Sequence, residues 1–407
     1  MRLQLVTTDE EQPDYLAYSL DTPLAEWDHA DLVEIPVGVH RHVVRFLQRD
    51  GRLYALKELP PALAEREWDL LRHLSEEDLP VVEVLGVIAD RGADLDDILI
   101  TRHLEFSLPF RFLFTRAGMP RLQESLIDAV AVLLVRIHLA GFWWGDCSLS
   151  NTLFRRDAGA LAAWLVDTET GELHDTLSSG QRELDLDIAE MNILGGLLDL
   201  EAGGQLSDEV DPATVVATLR ARYGQLWAEL TTEQAIDVSE RHLIDERLKR
   251  LNDLGFDTTE ISIEAGVDGS MLRFKPVVIE AGHHQRMLRG LTGIAALENQ
   301  SRRLVDDLRS YGAWLSGQEG RDLPEAVVAY RWLAEVFEPA LAAVPAELRD
   351  RREPPELFHE ILLHRDELVA AQHKNVRVPQ AAASYASLAL PFVETERALL
   401  DDDQPDD

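Results

Sequence analysis

Cysteine is nearly absent: Cys147 is the single one in 407 residues. That excludes an internal disulfide and a Cys-rich zinc site, and it suits a reducing compartment. Positive charge is scarce too, with 39 Lys+Arg against 74 Asp+Glu and a formal charge of −35. A non-specific nucleic-acid binder needs a basic footprint for phosphates, and a polybasic membrane-surface protein needs one for anionic lipids. Long apolar runs are also missing. The longest, Ala129 to Trp144, is interrupted by Arg136 and His138, whereas a spanning helix wants about 20 predominantly apolar residues. No apolar stretch of signal-peptide length precedes Asp9, Glu10 and Glu11. The expectation is a cytoplasmic protein with no membrane span and no nucleic-acid partner.

Lysine is the scarcest charged residue. There are four, and Lys57 is the only one before Lys249. A GC-rich coding sequence would account for arginine in place of lysine. Against that background, a lysine kept at one position draws attention to the position.

What is present reads as a folded protein, 46% hydrophobic and 28% charged. The first hundred residues are mostly β. Runs rich in β-branched residues predict strands at Leu32–Val37, His42–Gln48, Leu53–Leu59, Val81–Ala89 and Ile98–Leu104, with a hairpin turn at Arg49-Asp50-Gly51-Arg52. After Pro60-Pro61, the apolar spacing over Ala62–Leu74 predicts one helix, inserted after the third strand. From Gln123 the pattern turns helical, and the loop Gly145 to Asn151 follows. Short strands are expected at Thr152–Arg155 and Ala162–Val166, then a helix near Leu184–Leu200 that ends at Gly203-Gly204.

Beyond a linker at 203–208 the chain reads as a separate, mainly helical unit. Helices are expected at Pro212–Leu230, Ser239–Leu254, Thr292–Leu315, Pro324–Val344, Pro355–His373 and Pro379–Leu390. A hairpin is expected across Ile261–Glu264 and Met271–Ile279. The fold class is α+β, with divisions at 1–104, 105–204, 205–397 and an acidic tail at 398–407.

Four short stretches carry chemistry. Tyr54-Ala55-Leu56-Lys57 places a lysine at a strand end, and Glu67 follows ten residues later on the helix, with Glu65 as its rival. Asp146 and Asn151 stand five apart in the loop after a buried helix, and Asp167 follows Leu165-Val166 at a strand end. Phosphoryl transfer uses such pieces: a cation held still for phosphates, oxygen ligands for magnesium on rigid elements, and a carboxylate to orient the accepting hydroxyl.

Their order resembles the protein-kinase-like superfamily. Ala55-Leu56-Lys57 matches the third-strand signature, Asp146 and Asn151 match the Asp-x-x-x-x-Asn catalytic loop, and Asp167 matches the metal-binding aspartate. Asp187, with Asp185 as rival, looks like the helix aspartate that braces the catalytic loop. Within the superfamily the first half is closest to lipopolysaccharide-kinase-like proteins. The whole chain resembles an actinobacterial family with a C-terminal domain of unknown function, through stretches such as Phe274 to His284.

The resemblance implies a bilobal kinase-like fold, ATP and Mg2+ as cofactors, and a small-molecule or sugar acceptor. It implies that Lys57 holds phosphates, Glu67 orients Lys57, Asp146 orients the acceptor, and Asn151 and Asp167 bind magnesium. Ile35, Val43 and Ala55 would cover the adenine, Gly38 would lie in the phosphate-covering loop, and Arg102, His103, Leu104 and Glu105 would form the hinge. The C-terminal domain would shape the acceptor site or receive a protein partner.

The chain departs from the pattern in several places. The phosphate-covering stretch Ile35 to His42 has only Gly38, with His40 or Arg41 as substitute phosphate contacts or solvated charges. Asp-Phe-Gly reads Asp167-Thr168-Glu169, His-Arg-Asp reads Trp144-Gly145-Asp146, and no activation loop is evident. These departures keep a second reading open: a pseudokinase that binds nucleotide or a partner without catalysis.

Other constellations are weaker. His359 and His364 stand five apart, so they lie roughly 140° apart on a helix and do not make a zinc-protease pair. His283-His284 could contact a phosphate or metal, or could cap a helix. Cys147 beside Asp146 could be a nucleophile, but no base partner is visible. Trp143-Trp144 read as core beneath the loop.

Overall fold

The structure, a computed structural model, describes residues 2–6, 13–35, 41–92, 94–109, 114, 120–232, 234–237, 246, 260–265, 271–277 and 282–393. Gly38, His40, the tail and the helix expected at Ser239–Leu254, apart from Glu246, lie outside them. The chain divides into two compact units. The first contains residues to Phe154 and Ala163–Tyr223; the second contains Arg155–Ala162 and the chain from Gly224 on.

The first unit opens with an antiparallel sheet. Its strands are β1 (Arg2–Leu5), β2 (Leu32–Val33), β3 (Val44–Arg49), β4 (Arg52–Leu59), β5 (Val84–Ala89) and β6 (Asp97–Arg102), in the order β1-β5-β6-β4-β3-β2. Helix α1 (Pro61–Glu76) is inserted between β4 and β5 and starts with proline at its first turn, where the missing N–H is not needed. Five strands were expected and six form. The extra one, β1, pairs with β5 from Arg2↔Ala89 to Leu5↔Gly86, so the helix follows the fourth strand, not the third. Of the strand expected at Leu32–Val37, Leu32–Val33 forms and residues 36–37 lie outside the described ones; the strand expected at Val81–Ala89 starts at Val84, and Val81 instead bridges Leu165.

Asp50 and Gly51 both have positive φ, as a two-residue hairpin turn with right-handed strand twist requires. On β4 the side chains alternate. Tyr54 and Leu56 enter a core with Tyr15, Tyr18, Leu24 and Trp27 of the N-terminal segment, which covers that face of the sheet. Ala55 and Lys57 therefore face the other way.

The rest of the first unit is helical with short strands. Helix α2 (Pro120–Leu139) buries Leu126, Val130, Leu133, Leu134 and Ile137 along one stripe. Strand β7 (Leu108–Pro109) pairs with β9 (Thr152–Asp157), which is followed by β10 (Ala160–Leu165); β8 (Phe142–Trp143) pairs with β11 (Glu172–Leu173). Helix α3 (Ser179–Ala202) begins with a reciprocal cap between Ser178 and Gln181. Helix α4 (Pro212–Thr231) follows as expected.

The second unit holds a three-stranded antiparallel sheet, β12 (Gln234–Asp237), β13 (Glu260–Ala265) and β14 (Met271–Val277), in the order β12-β14-β13. The hairpin β13–β14 was expected, and β12 was not. Helix α5 (His283–Thr292) ends at Gly293, whose φ is 76°. The single helix expected from Thr292 is therefore broken, and α6 (Glu298–Glu319) starts five residues later. Helix α7 (Glu325–Trp332) widens into a π segment at Leu333–Phe337, just before Pro339, which has no N–H to donate. Helices α8 (Glu338–Ala342), α9 (Ala346–Arg349), α10 (Pro354–Gln372) and α11 (Val378–Leu388) complete the unit. Its core centres on Trp332, Phe337 and Phe358. The expected α+β arrangement, a β-rich region followed by a mainly helical one, is what forms. No helix among the described residues is long and apolar enough to cross a membrane.

Candidate active site

Lys57 and Glu67 meet because β4 and α1 each present one side chain inward. On α1 the buried positions are Ala64, Glu67, Trp68, Leu71 and Leu74, so Glu67 occupies the apolar stripe and Glu65 does not. The Lys57 ammonium donates to Glu67 Oε2 at 3.0 Å and to Asp167 Oδ2 at 2.6 Å. Burial alone would lower the Lys57 pKa; the Glu67 and Asp167 carboxylates outweigh it, and the net direction is up. Burial pushes the Glu67 carboxyl up to about 7, with Asp167 adding to the rise and Lys57 opposing it.

The loop after β8 is tied down from three sides. Gly145 has φ 73°, and a Cβ there would lie 2.6 Å from the Trp143 ring, so only glycine fits. Asp185, fully buried on α3, accepts from the Trp144 N–H at 2.8 Å and the Gly145 N–H at 2.7 Å. Its carboxylate also contacts His138 Nε2 at 3.0 Å, and His138 Nδ1 lies 2.7 Å from the Tyr223 hydroxyl. The preference for Asp187 is therefore corrected. Asp187 is exposed and joins Glu183 and Glu190 around Arg220, while its rival Asp185 braces the loop. The indole N–H of Trp144 donates to the Asp167 carbonyl at 2.8 Å, and the Thr170 hydroxyl donates to the Trp144 carbonyl at 2.8 Å.

Asp146, Asn151 and Asp167 are brought to one place with Lys57. Asn151 Nδ2 donates to Asp146 Oδ2 at 2.9 Å, leaving the Asn151 amide oxygen for another partner. Asn192 donates to Asp146 Oδ1 at 3.0 Å. Burial raises the Asp146 pKa, the Asp167 charge raises it further, and the Asn151 hydrogen bond opposes both. A carboxylate held in place with a raised pKa is a better proton acceptor than a solvated one. Three carboxylates, Glu67, Asp167 and Glu169, lie within 4 Å of the half-buried Lys57 ammonium. That excess of negative charge, with the free amide oxygen of Asn151, suits a hard divalent cation.

Two residues here were missed. Glu169 lies 3.6 Å from Lys57, 3.2 Å from His42 and 3.7 Å from Arg41; the sequence showed it only as a departure from a motif glycine. Asn192 stands two helical turns after Asp185 on the same face of α3, a spacing that could have revealed it.

The remaining expected residues are placed as follows. Ala55 lies on β4, Val43 directly precedes β3 and Ile35 follows β2 by two residues; the three strands are adjacent, and Val43 is exposed. Arg102 ends β6 opposite Tyr54 and pairs with Glu83 at 2.9 Å. The His103 N–H donates to the Leu53 carbonyl at 3.0 Å. Its ring meets Phe46 edge-on, and burial lowers its pKa to about 4, so it is neutral. Leu104 and Glu105 follow, both half-buried.

Cys147 is buried, and burial followed by the Asp185 and Asp146 charges drives its thiol pKa up; no thiolate is available there. Trp144 is core, as expected. In the second unit, His284 Nδ1 lies 2.6 Å from Glu298 Oε1 at the start of α5. His364 contacts Ser384 at 3.0 Å, away from a buried His359. Among the described residues no cluster of three or more His, Cys, Asp or Glu is arranged to hold a metal by itself.

Residues 36–193 match the lipopolysaccharide kinase (Kdo/WaaP) family, and residues 225–390 match a domain of unknown function, DUF4032. No curated protein matches the chain. Among solved structures, one described as WaaP in complex with acyl carrier protein aligns at 19% identity, covering 62% of this chain and 99% of its own, with a TM-score of 0.39. The two family matches bear out the kinase-like resemblance: the chain joins a region similar to lipopolysaccharide kinases to a C-terminal domain of unknown function.

Proposed function

We propose that the first unit is an ATP- and Mg2+-dependent phosphotransferase that moves the γ-phosphate of ATP to a hydroxyl of a small molecule or sugar. The observation that carries this reading is the pair of half-buried Lys57 and buried Glu67 set against Asp167, with Asp146 and Asn151 joined to each other. Lys57 binds the phosphates and Glu67 fixes its position. Asn151 and Asp167 would hold magnesium, which neutralises charge on the transferred group. Asp146, steadied by Asn151 and Asn192, orients the acceptor hydroxyl and takes its proton. For Lys57 to serve the phosphates, Asp167 must turn its carboxylate from the ammonium to the cation.

A thermal-shift titration tests the reading. ATP with Mg2+ is expected to raise Tm, by mass action, more than ATP alone. No shift with either would overturn the assignment. A second reading, a nucleotide-binding module without turnover, is favoured by Glu169, which adds a carboxylate 3.6 Å from Lys57 where phosphate would approach. Binding with no loss of γ-phosphate from ATP would establish it.

The Glu67 value sets a pH dependence. As pH falls through about 7, Glu67 takes up a proton, its pair with Lys57 weakens, and ATP affinity falls. The ratio of wild-type to Glu67→Gln affinity, measured by titration from pH 5.5 to 8.5 (about 1.5 units either side of the Glu67 value), is expected to rise with a midpoint near 7. A ratio that does not change with pH would contradict the role given to the pair.

A further inference from the structure

The hairpin β9–β10 joins the two proposed magnesium ligands. Asn151 immediately precedes β9, and Asp167 follows β10 by two residues. The Val166 N–H donates to the Asn151 carbonyl at 3.1 Å, so the base of the hairpin closes beside both ligands. Its tip is a two-residue turn, Ala158-Gly159, with φ of 51° and 88°. In a hairpin the turn fixes the register, and a one-residue slip moves each side chain to the opposite face. The turn that pairs Asp157 with Ala160 is therefore the one that sets Asn151 opposite Val166.

That turn is strained, because Ala158 carries a side chain in a left-handed conformation, at a cost of about 1–2 kcal/mol. The tip, residues 155–162, belongs to the second unit, and that unit holds it tightly. The Ala158 N–H donates to Glu356 Oε2 of α10 at 2.8 Å. Asp157 accepts from the Asn299 N–H at 3.2 Å and the Gln300 N–H at 2.8 Å, capping the start of α6 from 142 residues away. Gln300 Nε2 donates to the Arg156 carbonyl and to Glu356 Oε2, each at 2.9 Å. Arg155 pairs with Glu353 at 2.5 Å. Asp157, Gln300 and Glu356 are all buried.

We propose that Asp157, Gln300 and Glu356 are positioning residues: by holding the strained tip, the C-terminal unit fixes the hairpin register, and with it the spacing of Asn151 and Asp167 that sets cation affinity. This gives the domain of unknown function a task for the proposed site without contributing a residue to it. The inference rests on the metal-dependent reading above.

The test uses the full chain, with Mn2+ titrated by electron paramagnetic resonance in the presence of saturating ADP. Glu356→Ala is expected to weaken Mn2+ binding by about tenfold, the lower range for losing an outer-shell partner of a metal ligand. Adding Ala158→Gly, which relieves the turn, is expected to restore most of that loss. ADP affinity without metal should stay within about twofold. Should Glu356→Ala fail to fold, Asp157→Asn keeps the side-chain volume, turns one acceptor into a donor facing N–H groups, and is expected to act in the same direction. Hydrogen exchange over residues 152–165 reads the hairpin directly. Lost protection there with Mn2+ affinity unchanged would overturn the inference, and so would a loss that Ala158→Gly does not restore. If the wild-type chain with ADP binds no Mn2+, the metal-dependent reading itself falls, and that arm reports it before any variant is made.

Discussion

Replacing Asp146 by asparagine is expected to lower the rate of γ-phosphate loss from ATP by about a thousandfold, within the range for losing a positioned general base. Asparagine keeps the size of the side chain and can still accept from Asn151 or Asn192, so the loop stays folded. It cannot take a proton. ATP affinity, set by Lys57 and magnesium, should change by less than about threefold. The measurement is release of labelled phosphate in the presence of Mg2+ and candidate hydroxyl acceptors, with affinity measured in parallel. The split matters more than the size of the drop: a fall in kcat with binding retained is what a group acting on the acceptor produces. Equal turnover in the variant would remove Asp146 from the chemistry. A loss of binding equal to the loss of turnover would make it part of the nucleotide site instead.

The second large effect concerns stability. Asp185 accepts from two backbone N–H groups and contacts His138; Asp185, Trp144 and His138 are buried and Gly145 is half-buried. Asp185→Ala takes the acceptor from the buried Trp144 N–H and the half-buried Gly145 N–H, and the partner from buried His138. A cost of about 3 kcal/mol follows from such orphaned groups, which is on the order of 6–12 °C in Tm for a unit of this size. Asp187 sits two residues away on the exposed face with Arg220, and Asp187→Ala should cost less than about 1 kcal/mol. Parallel thermal melts decide the point. Equal losses would mean that the brace is not where the hydrogen bonds place it. Because the brace holds Trp144 and Gly145, Asp185→Ala is also expected to reduce turnover at temperatures where the protein remains folded.

The contrast between these two aspartates shows what the sequence could and could not reveal. Motif order brings an aspartate to this helix but does not choose between 185 and 187. The helical period does: Asp185 shares a face with Ala189, Asn192 and Ile193, whereas Asp187 falls opposite. The same argument picks Glu67 over Glu65 on α1, because the apolar residues around 67 define the buried stripe. Lys57 was legible for a different reason, since strand alternation and its isolation among arginines pointed the same way. Glu169 was not legible. Its place beside Lys57 depends on how the segment after Asp167 returns to the residues before β3, and no local pattern encodes that. The strands β1 and β12 were missed because each is only four residues long, too short a run to mark a strand without its partner. The grip on the hairpin tip links residues more than 140 positions apart, and nothing in either segment announces the other.

The adverse charge noted at the outset has a counterpart at the site. A protein of formal charge −35 is proposed to bind a polyanion where one half-buried lysine faces several carboxylates. That arrangement makes the divalent cation central, since a metal converts the surplus of oxygen ligands from repulsive to attractive. The most direct measurement is therefore calorimetric titration of ATP into wild-type protein, Lys57→Met and Asp167→Asn, each with and without Mg2+. The account predicts one site in the wild type that is tighter with Mg2+, lost in Lys57→Met, and no longer strengthened by Mg2+ in Asp167→Asn. ATP binding that is indifferent to Mg2+ and to both substitutions would contradict it.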